Sequence, residues 1–326
     1  MSNATTVELG DLRGYADVVD DVSGYLRKTS SFADSHCTRT DFGKLLDPLA
    51  AGYASLLPQI KQLLADQISL MGASAVAIDR TLQDFRTTDG REAERHGGRA
   101  TITDDGRSAT YYGNPLTDFG SPSPTESELP EIDFGFPFDQ LARAPETVCG
   151  YDVRREVTDW LVGDVVEVSK QSNAWYTVGS ATSSYSRYLR NANVIVAKTW
   201  TGDAASATII RMDEWKEILD KQGIDFDRVA KHLADIAADA VEMAQLAIDL
   251  ILFALDTVAS ARASQWIPIY GRAKFAMKAW DAFHKVKEAW DKIQMFLDVL
   301  SLIVGYLEVL YDELNPVNLP AAPSNG

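Results

Sequence analysis

The 326-residue sequence predicts an all-α fold: two long helical hairpins packed as an antiparallel four-helix bundle, with a loose acidic linker between them and a C-terminal helical extension. Three observations predict it. Apolar residues recur every three to four positions through most of 1–88 and 151–314, the spacing of one helix face. That periodicity fails between 89 and 150, where six of the twelve prolines fall. Each hairpin also carries a long apolar stripe that it cannot bury alone, so the simplest packing is hairpin on hairpin.

The first hairpin is 1–88. Leu12, Tyr15, Val19, Val22 and Leu26 place an amphipathic helix over Thr6 to Lys28. The polar stretch SSFADSHCTRTD breaks it. A near-heptad stripe then runs through Tyr53, Leu57, Ile60, Leu64, Ile68, Met71, Ala75, Ile78, Leu82 and Phe85. Asp47 and Pro48 suit the start of that helix, and Pro58 predicts a kink within it.

Composition changes at Asp89. Twelve acidic residues against five basic ones lie between Asp89 and Val148. Residues 89–150 therefore read as an irregular acidic, Pro/Gly-rich linker, loose enough that shortening it between Gly97 and Pro130 should hardly change stability. Within it, ATITDDGRSATYYG carries Asp-Gly between β-prone runs, the signal of a small β-hairpin.

The second hairpin is 151–265. Leu161, Val165, Val168, Trp175, Thr182, Tyr185, Leu189, Ala192 and Val196 form its first stripe, with the pattern resuming near Asp152. It runs into Trp200-Thr201-Gly202. Glycine is the usual residue for a left-handed helix stop, and Asp203 is a good cap for a new helix. The junction is thus a tight turn, with Trp200 partly exposed at its shoulder. The return stripe is Ile209, Met212, Trp215 and Leu219. A break is expected at Gln222-Gly223, with Asp225 or Asp227 capping the continuation through Val258. Pro268 and Gly271 end that pattern. A C-terminal helical extension spans 266–314, its helix starting near Arg272, and 315–326 reads as a disordered tail.

A net charge of −16 and no basic stripe argue against nucleic acid as a partner. No basic, apolar leader marks the first residues, and the longest apolar runs are broken by Asp249, Asp298 and Glu308. Two cysteines without a CxxC pair argue against structural zinc. Cys37 and Cys149 form one disulfide if they meet in space, and otherwise remain two thiols.

No catalytic, metal-binding or cofactor-binding constellation stands out, so no cofactor is expected. The four histidines, His36, His96, His232 and His284, have no metal-ligand partner at helical spacing. Asp213, Glu214 and Glu217 follow a helix start, where carboxylates offset the helix dipole. P-loop, dinucleotide-glycine and GxSxG patterns are missing. In KAWDAFHKVKEAWDKI, Trp280 and Trp290 lie on an amphipathic, locally basic segment. It suits either packing on the bundle or contact with a membrane or partner groove.

Trp200-Thr201-Gly202 in TWTGDAASA, set between two heptad helices, resembles the WXG signature of type VII (ESX) secretion substrates. Residues 7–89, with HCTRTDFGKLLDPLAAGY in the middle and LQDFRTTD at the end, resemble the EspC-like family of ESX secretion-associated proteins. In that family the second helix ends in an aromatic-x-x-x-acid export motif, usually YxxxD. The matching positions are Phe85 and Asp89, with Phe in place of Tyr. From about 150 to 314 the layout is similar to the EspA-like partners of EspC-like proteins. It shares the W-x-G turn, the apolar return helix and an Ile-Pro-x-x-Gly break at Ile267–Gly271. The two pieces are separate proteins in those families and are joined here.

The resemblance implies an actinobacterial, virulence-associated protein that is not an enzyme. It implies export as a folded single-chain pair by a leaderless route, cytoplasmic first and then secreted or in the cell envelope. The implied signal is composite: Trp200 and Gly202 from one hairpin, Phe85 and Asp89 from the other. The implied partners are an ATPase or chaperone of the secretion machinery, with self-association and membrane contact through the C-terminal helices as further expectations. Two alternatives belong to other classes. One is a membrane-active or toxin-delivery protein that uses the WXG module. The other is a cytoplasmic helical adaptor or chaperone.

Overall fold

Residues 5–87, 100–129, 163–262, 270–314 and 319–321 are described by the computed structural model. Among them, five long helices carry the fold: α1 (Leu9–His36), α2 (Asp47–Thr87), α3 (Val165–Val196), α4 (Asp203–Arg262) and α5 (Tyr270–Leu314). Two short strands, β1 (Thr5–Glu8) and β2 (Ala100–Thr103), accompany them.

The protein is all-α. Helix α1 packs on α2 and α3, α4 on α3 and α5, and α5 closes back on α2. One end gathers Leu12 and Tyr15 from the start of α1 and Ile78 and Leu82 from the end of α2. Leu189 and Val196 from the end of α3 join them there, with Met212 and Trp215 from the start of α4. The opposite end gathers Phe32, Tyr53, Trp175 and Phe226. Each helix of the first four therefore runs against its neighbour, as an antiparallel bundle requires. Gln67 of α2 donates to Gln222 of α4 across the bundle, and Arg211 of α4 donates to Ser74 of α2 at 3.1 Å.

Helix length explains the extension. At ~1.5 Å per residue, the 60 residues of α4 span ~90 Å and the 32 of α3 only ~48 Å. The second half of α4 outruns α3. Its small residues Ala240, Ala244 and Ala247 are buried in one cluster with Ala289, Ile293, Phe296 and Leu300 of α5.

Several expectations change. Helix α1 starts at Leu9, because Thr5–Glu8 is a strand. Its β-branched Thr5, Thr6 and Val7 suit extended backbone, and partners far along the chain use its polar groups. The expected β-hairpin does not form. Strand β2 pairs in parallel with β1, Thr5 opposite Ala100 and Glu8 opposite Thr103, instead of folding back on Ala109–Gly113. The break at Gln222-Gly223 is absent, since α4 runs through it. Gly223 serves a close helix crossing: a Cβ there would sit 2.1 Å from Ser183 Oγ and 3.0 Å from the Gly179 carbonyl.

The linker is not loose where it is described. Residues 104–129 form no regular element, yet they lie as a strap along α1 and α3. Ala109 N–H donates to the Gly10 carbonyl at 2.8 Å. Tyr111 Oη donates to the Asp11 carbonyl at 2.9 Å. Lower down, Leu116 N–H donates to Ser184 Oγ at 2.8 Å, and Asn173 Nδ2 to the Ser123 carbonyl at 2.6 Å. A Cβ on Gly14 would stand 2.0 Å from the Ala109 carbonyl, so α1 has a glycine notch for the strap. Shortening this segment would remove these contacts, so a deletion here should cost stability, contrary to the expectation of a neutral one. Within the tail, Leu319 packs against the core and the Pro320 carbonyl accepts from Arg211 Nη2 at 3.2 Å. Leu319 and Pro320 are thus docked, not disordered.

Candidate functional site at the turn between α3 and α4

Helix α3 ends at Val196, whose carbonyl accepts from Thr199 N–H at 3.1 Å and Trp200 N–H at 2.9 Å. This double acceptance winds the chain tightly and carries Trp200 inward. Gly202 follows with φ 110°, a value that side-chain-bearing residues rarely adopt. It also faces Thr5, whose Oγ1 would lie 2.9 Å from a Cβ there. Asp203 then opens α4.

Trp200 is 1% exposed, which corrects the expectation of a partly exposed shoulder residue. The cause lies outside the turn. Val7 of β1 bridges Trp200 in antiparallel fashion. Glu8 N–H donates to the Thr199 carbonyl at 3.1 Å, and Thr201 N–H to the Thr6 carbonyl at 2.8 Å. The residues that stay exposed around the turn are Ala197, Lys198, Thr201, Asp203 and Ala204. Nε1 of Trp200 has no hydrogen-bond partner among the described residues, and neither has Nε1 of Trp215.

Phe85 is half-buried near the end of α2 and packs against the apolar cluster that holds Trp200, Val196 and Ala205. Asp89 lies outside the described residues. Beside Phe85, Arg86 Nε stands 3.6 Å from Asp104 Oδ2, and Arg13 Nη2 lies 3.4 Å from Asp104 Oδ1. The Gly106 backbone N–H, 2.9 Å from Asp104 Oδ1, and then the two guanidiniums hold that carboxyl below the usual carboxylate range. Asp104 thereby ties the end of β2 to α1 and α2. The sequence does not single it out: Asp105-Gly106 suggests a hairpin turn, and the same Asp-Gly chemistry instead makes a local side-chain-to-backbone turn.

The other singled-out residues have structural duties. Cys37 is a fully buried free thiol, and burial pushes its pKa up; Cys149 lies outside the described residues. Asp213 accepts from Asn193 Nδ2 at 3.1 Å and Lys216 Nζ at 3.0 Å. His36 packs on Phe32 with ring centroids 4.7 Å apart. Trp290 is partly buried against the core, whereas Trp280 is 63% exposed with His284 edge-on at 5.0 Å. Among the described residues, no three His, Cys, Asp or Glu side chains are grouped to hold a metal, and no helix is long and apolar enough to cross a membrane.

No protein-family model, no curated protein and no solved structure matches the chain.

Proposed function

We propose that the chain is a non-enzymatic substrate or secretion-associated protein of a type VII (ESX) route, exported as a folded single-chain helical pair. One observation supports this above the rest. The W-x-G turn and the end of α2 with Phe85 meet in one apolar cluster. A composite signal built from Trp200, Gly202, Phe85 and Asp89 needs its parts on one end of a folded bundle. Asp89 follows Phe85 by four residues and supplies the acid of the motif.

Burial of Trp200 alters what such a signal presents. The indole holds the shape of the turn, while Thr201 and Asp203 are exposed at its surface. An ATPase or chaperone of the secretion machinery would read the folded end as a surface. The chain would be cytoplasmic before export and secreted or envelope-bound afterwards.

Release into culture filtrate, measured against a cytoplasmic marker, tests the proposal. Phe85→Ala and Asp89→Ala should each lower release about tenfold or more, a loss worth ~1.4 kcal/mol of recognition, while the helical signal stays unchanged. Retention of the unaltered chain with the cytoplasmic marker, or normal release of both variants, defeats it.

A further inference from the structure

Strand β1 is held along both edges, through main-chain groups and one threonine hydroxyl. On one edge it runs in register with β2, Val7 opposite Ile102. On the other it meets the turn. There the Thr199 carbonyl accepts from Glu8 N–H, Thr201 N–H donates to the Thr6 carbonyl, and Thr201 Oγ1 accepts from Thr6 N–H at 3.1 Å. The turn thus offers two acceptors and a donor at strand spacing. An extended segment laid between it and β2 satisfies both.

The segment that fills this place is weakly anchored by its side chains. Val7 is fully buried, but Thr6 and Glu8 are exposed and Thr5 is half-buried. Backbone pairing and one apolar anchor hold the strand, whereas α1 beyond it buries Leu9, Leu12, Tyr15, Val19, Val22 and Leu26. Elements with few buried apolar contacts open at lower free energy than the core they cover.

We propose that the Trp200 turn and β2 form a strand-binding slot that Thr5–Glu8 fills in cis as a displaceable mask. The partner it fits is an extended peptide with a β-branched residue at the Val7 position. Alternate side chains of a strand point to opposite faces, so such a peptide sets its anchor beside Trp200 and its neighbours toward solvent. The slot stands on backbone geometry and does not depend on the export reading. If that reading holds, displacing the mask is the way to change what the turn presents.

Two measurements on the purified full chain test this. In hydrogen exchange of the unaltered protein, the Glu8 and Thr201 amides should exchange together, about tenfold or more faster than the amides of 185–193 in α3. Exchange of that pair only on global unfolding overturns the proposal without any variant. In the second, a labelled peptide Thr-Thr-Val-Glu-Leu-Gly is titrated against unaltered, Thr6→Pro and Val7→Asp chains. Saturable binding should appear in the variants that keep their helical signal, and be about tenfold weaker or absent in the unaltered chain. Folded variants that take no peptide overturn it. Export and peptide binding are read in different assays, so either idea can fail alone.

Discussion

Each end of the bundle buries a tryptophan between the hairpins, and the two are held differently. At the end away from the turn, Trp175 Nε1 donates to Tyr53 Oη at 2.6 Å. Tyr53 Oη in turn lies 2.7 Å from the Cys37 carbonyl and 2.8 Å from Gln171 Oε1, with one proton to give between them. Gln171 Nε2 donates onward to the Arg39 carbonyl at 2.9 Å. The indole of Trp175 stacks on Phe226, ring centroids 5.4 Å apart. At the turn end, Trp200 is equally buried, but its Nε1 finds no acceptor among the described residues. There the hairpins are joined through main-chain pairing with β1 and through Tyr15 Oη, which donates to Asn193 Oδ1 at 2.5 Å. The difference teaches where each end is vulnerable: one depends on a buried side-chain network, the other on shape and backbone register.

The largest effect that tests this contrast is at the turn. Trp200→Ala should destabilise by ~3–5 kcal/mol, the usual cost of truncating a buried aromatic, as measured by urea denaturation. Trp200→Phe should cost far less, since that indole has no hydrogen bond to lose among the described residues. A cost near zero for Trp200→Ala breaks the comparison, because the turn would then not be part of the core.

Tyr53→Phe comes next. It keeps the ring but leaves Trp175 Nε1 without its acceptor in a buried site, at a cost of ~1–3 kcal/mol. A neutral result means that the network at this end adds nothing beyond packing.

Gly14→Ala sharpens the part played by the strap. The new methyl meets the Ala109 carbonyl at 2.0 Å, so the strap must lift. Overpacking costs ~1–3 kcal/mol, offset by ~1 kcal/mol of helix propensity gained. Faster exchange at Ala109 with little change at Trp175 would localise the damage, whereas unchanged exchange at Ala109 speaks against a docked strap.

Alkali should act first at the end away from the turn. Burial raises the Cys37 thiol pKa above the unfolded value of ~8.5. Its contribution is therefore complete below that pH and falls away above it, because the unfolded thiol ionises while the folded one does not. The loss should reach ~1 kcal/mol near pH 9, with the buried tyrosines adding to it above about pH 10. Cys37→Ala should flatten the onset near pH 9, and an onset unmoved by that variant assigns it to another group.

How much of this was legible in the sequence varies by element. The stripe Leu12–Tyr15–Val19–Val22–Leu26 lies buried on α1. Gly202 adopts the left-handed conformation that its place after Thr201 suggested. Asp47 begins α2, as its place before Pro48 suggested, whereas Asp164, which caps α3 by accepting from Glu167 N–H at 3.0 Å, went unread. For the strap, Gly10 and Gly14 were an available signal: glycines one helical turn apart on an amphipathic helix mark a close backbone approach. Nothing local marked Ser184 or Asn173 as its anchors, because serine and asparagine in a helix read equally as solvent-facing residues.

The sequence by itself determined that long amphipathic helices form and where the turn falls, since periodicity and capping act between residues a few positions apart; it did not set every helix end, because α1 runs on to His36 through the stretch expected to break it. Tertiary structure alone decided that Thr5–Glu8 is a strand, that Trp200 is buried, and that Gly223 serves a crossing and not a break. Each depends on a partner distant along the chain. The bond from Thr6 N–H to Thr201 Oγ1 spans 195 residues, and that from Tyr53 to Gln171 spans 118. Local propensity is a weak prior at such places, and a backbone group goes to whichever partner the folded bundle brings within reach.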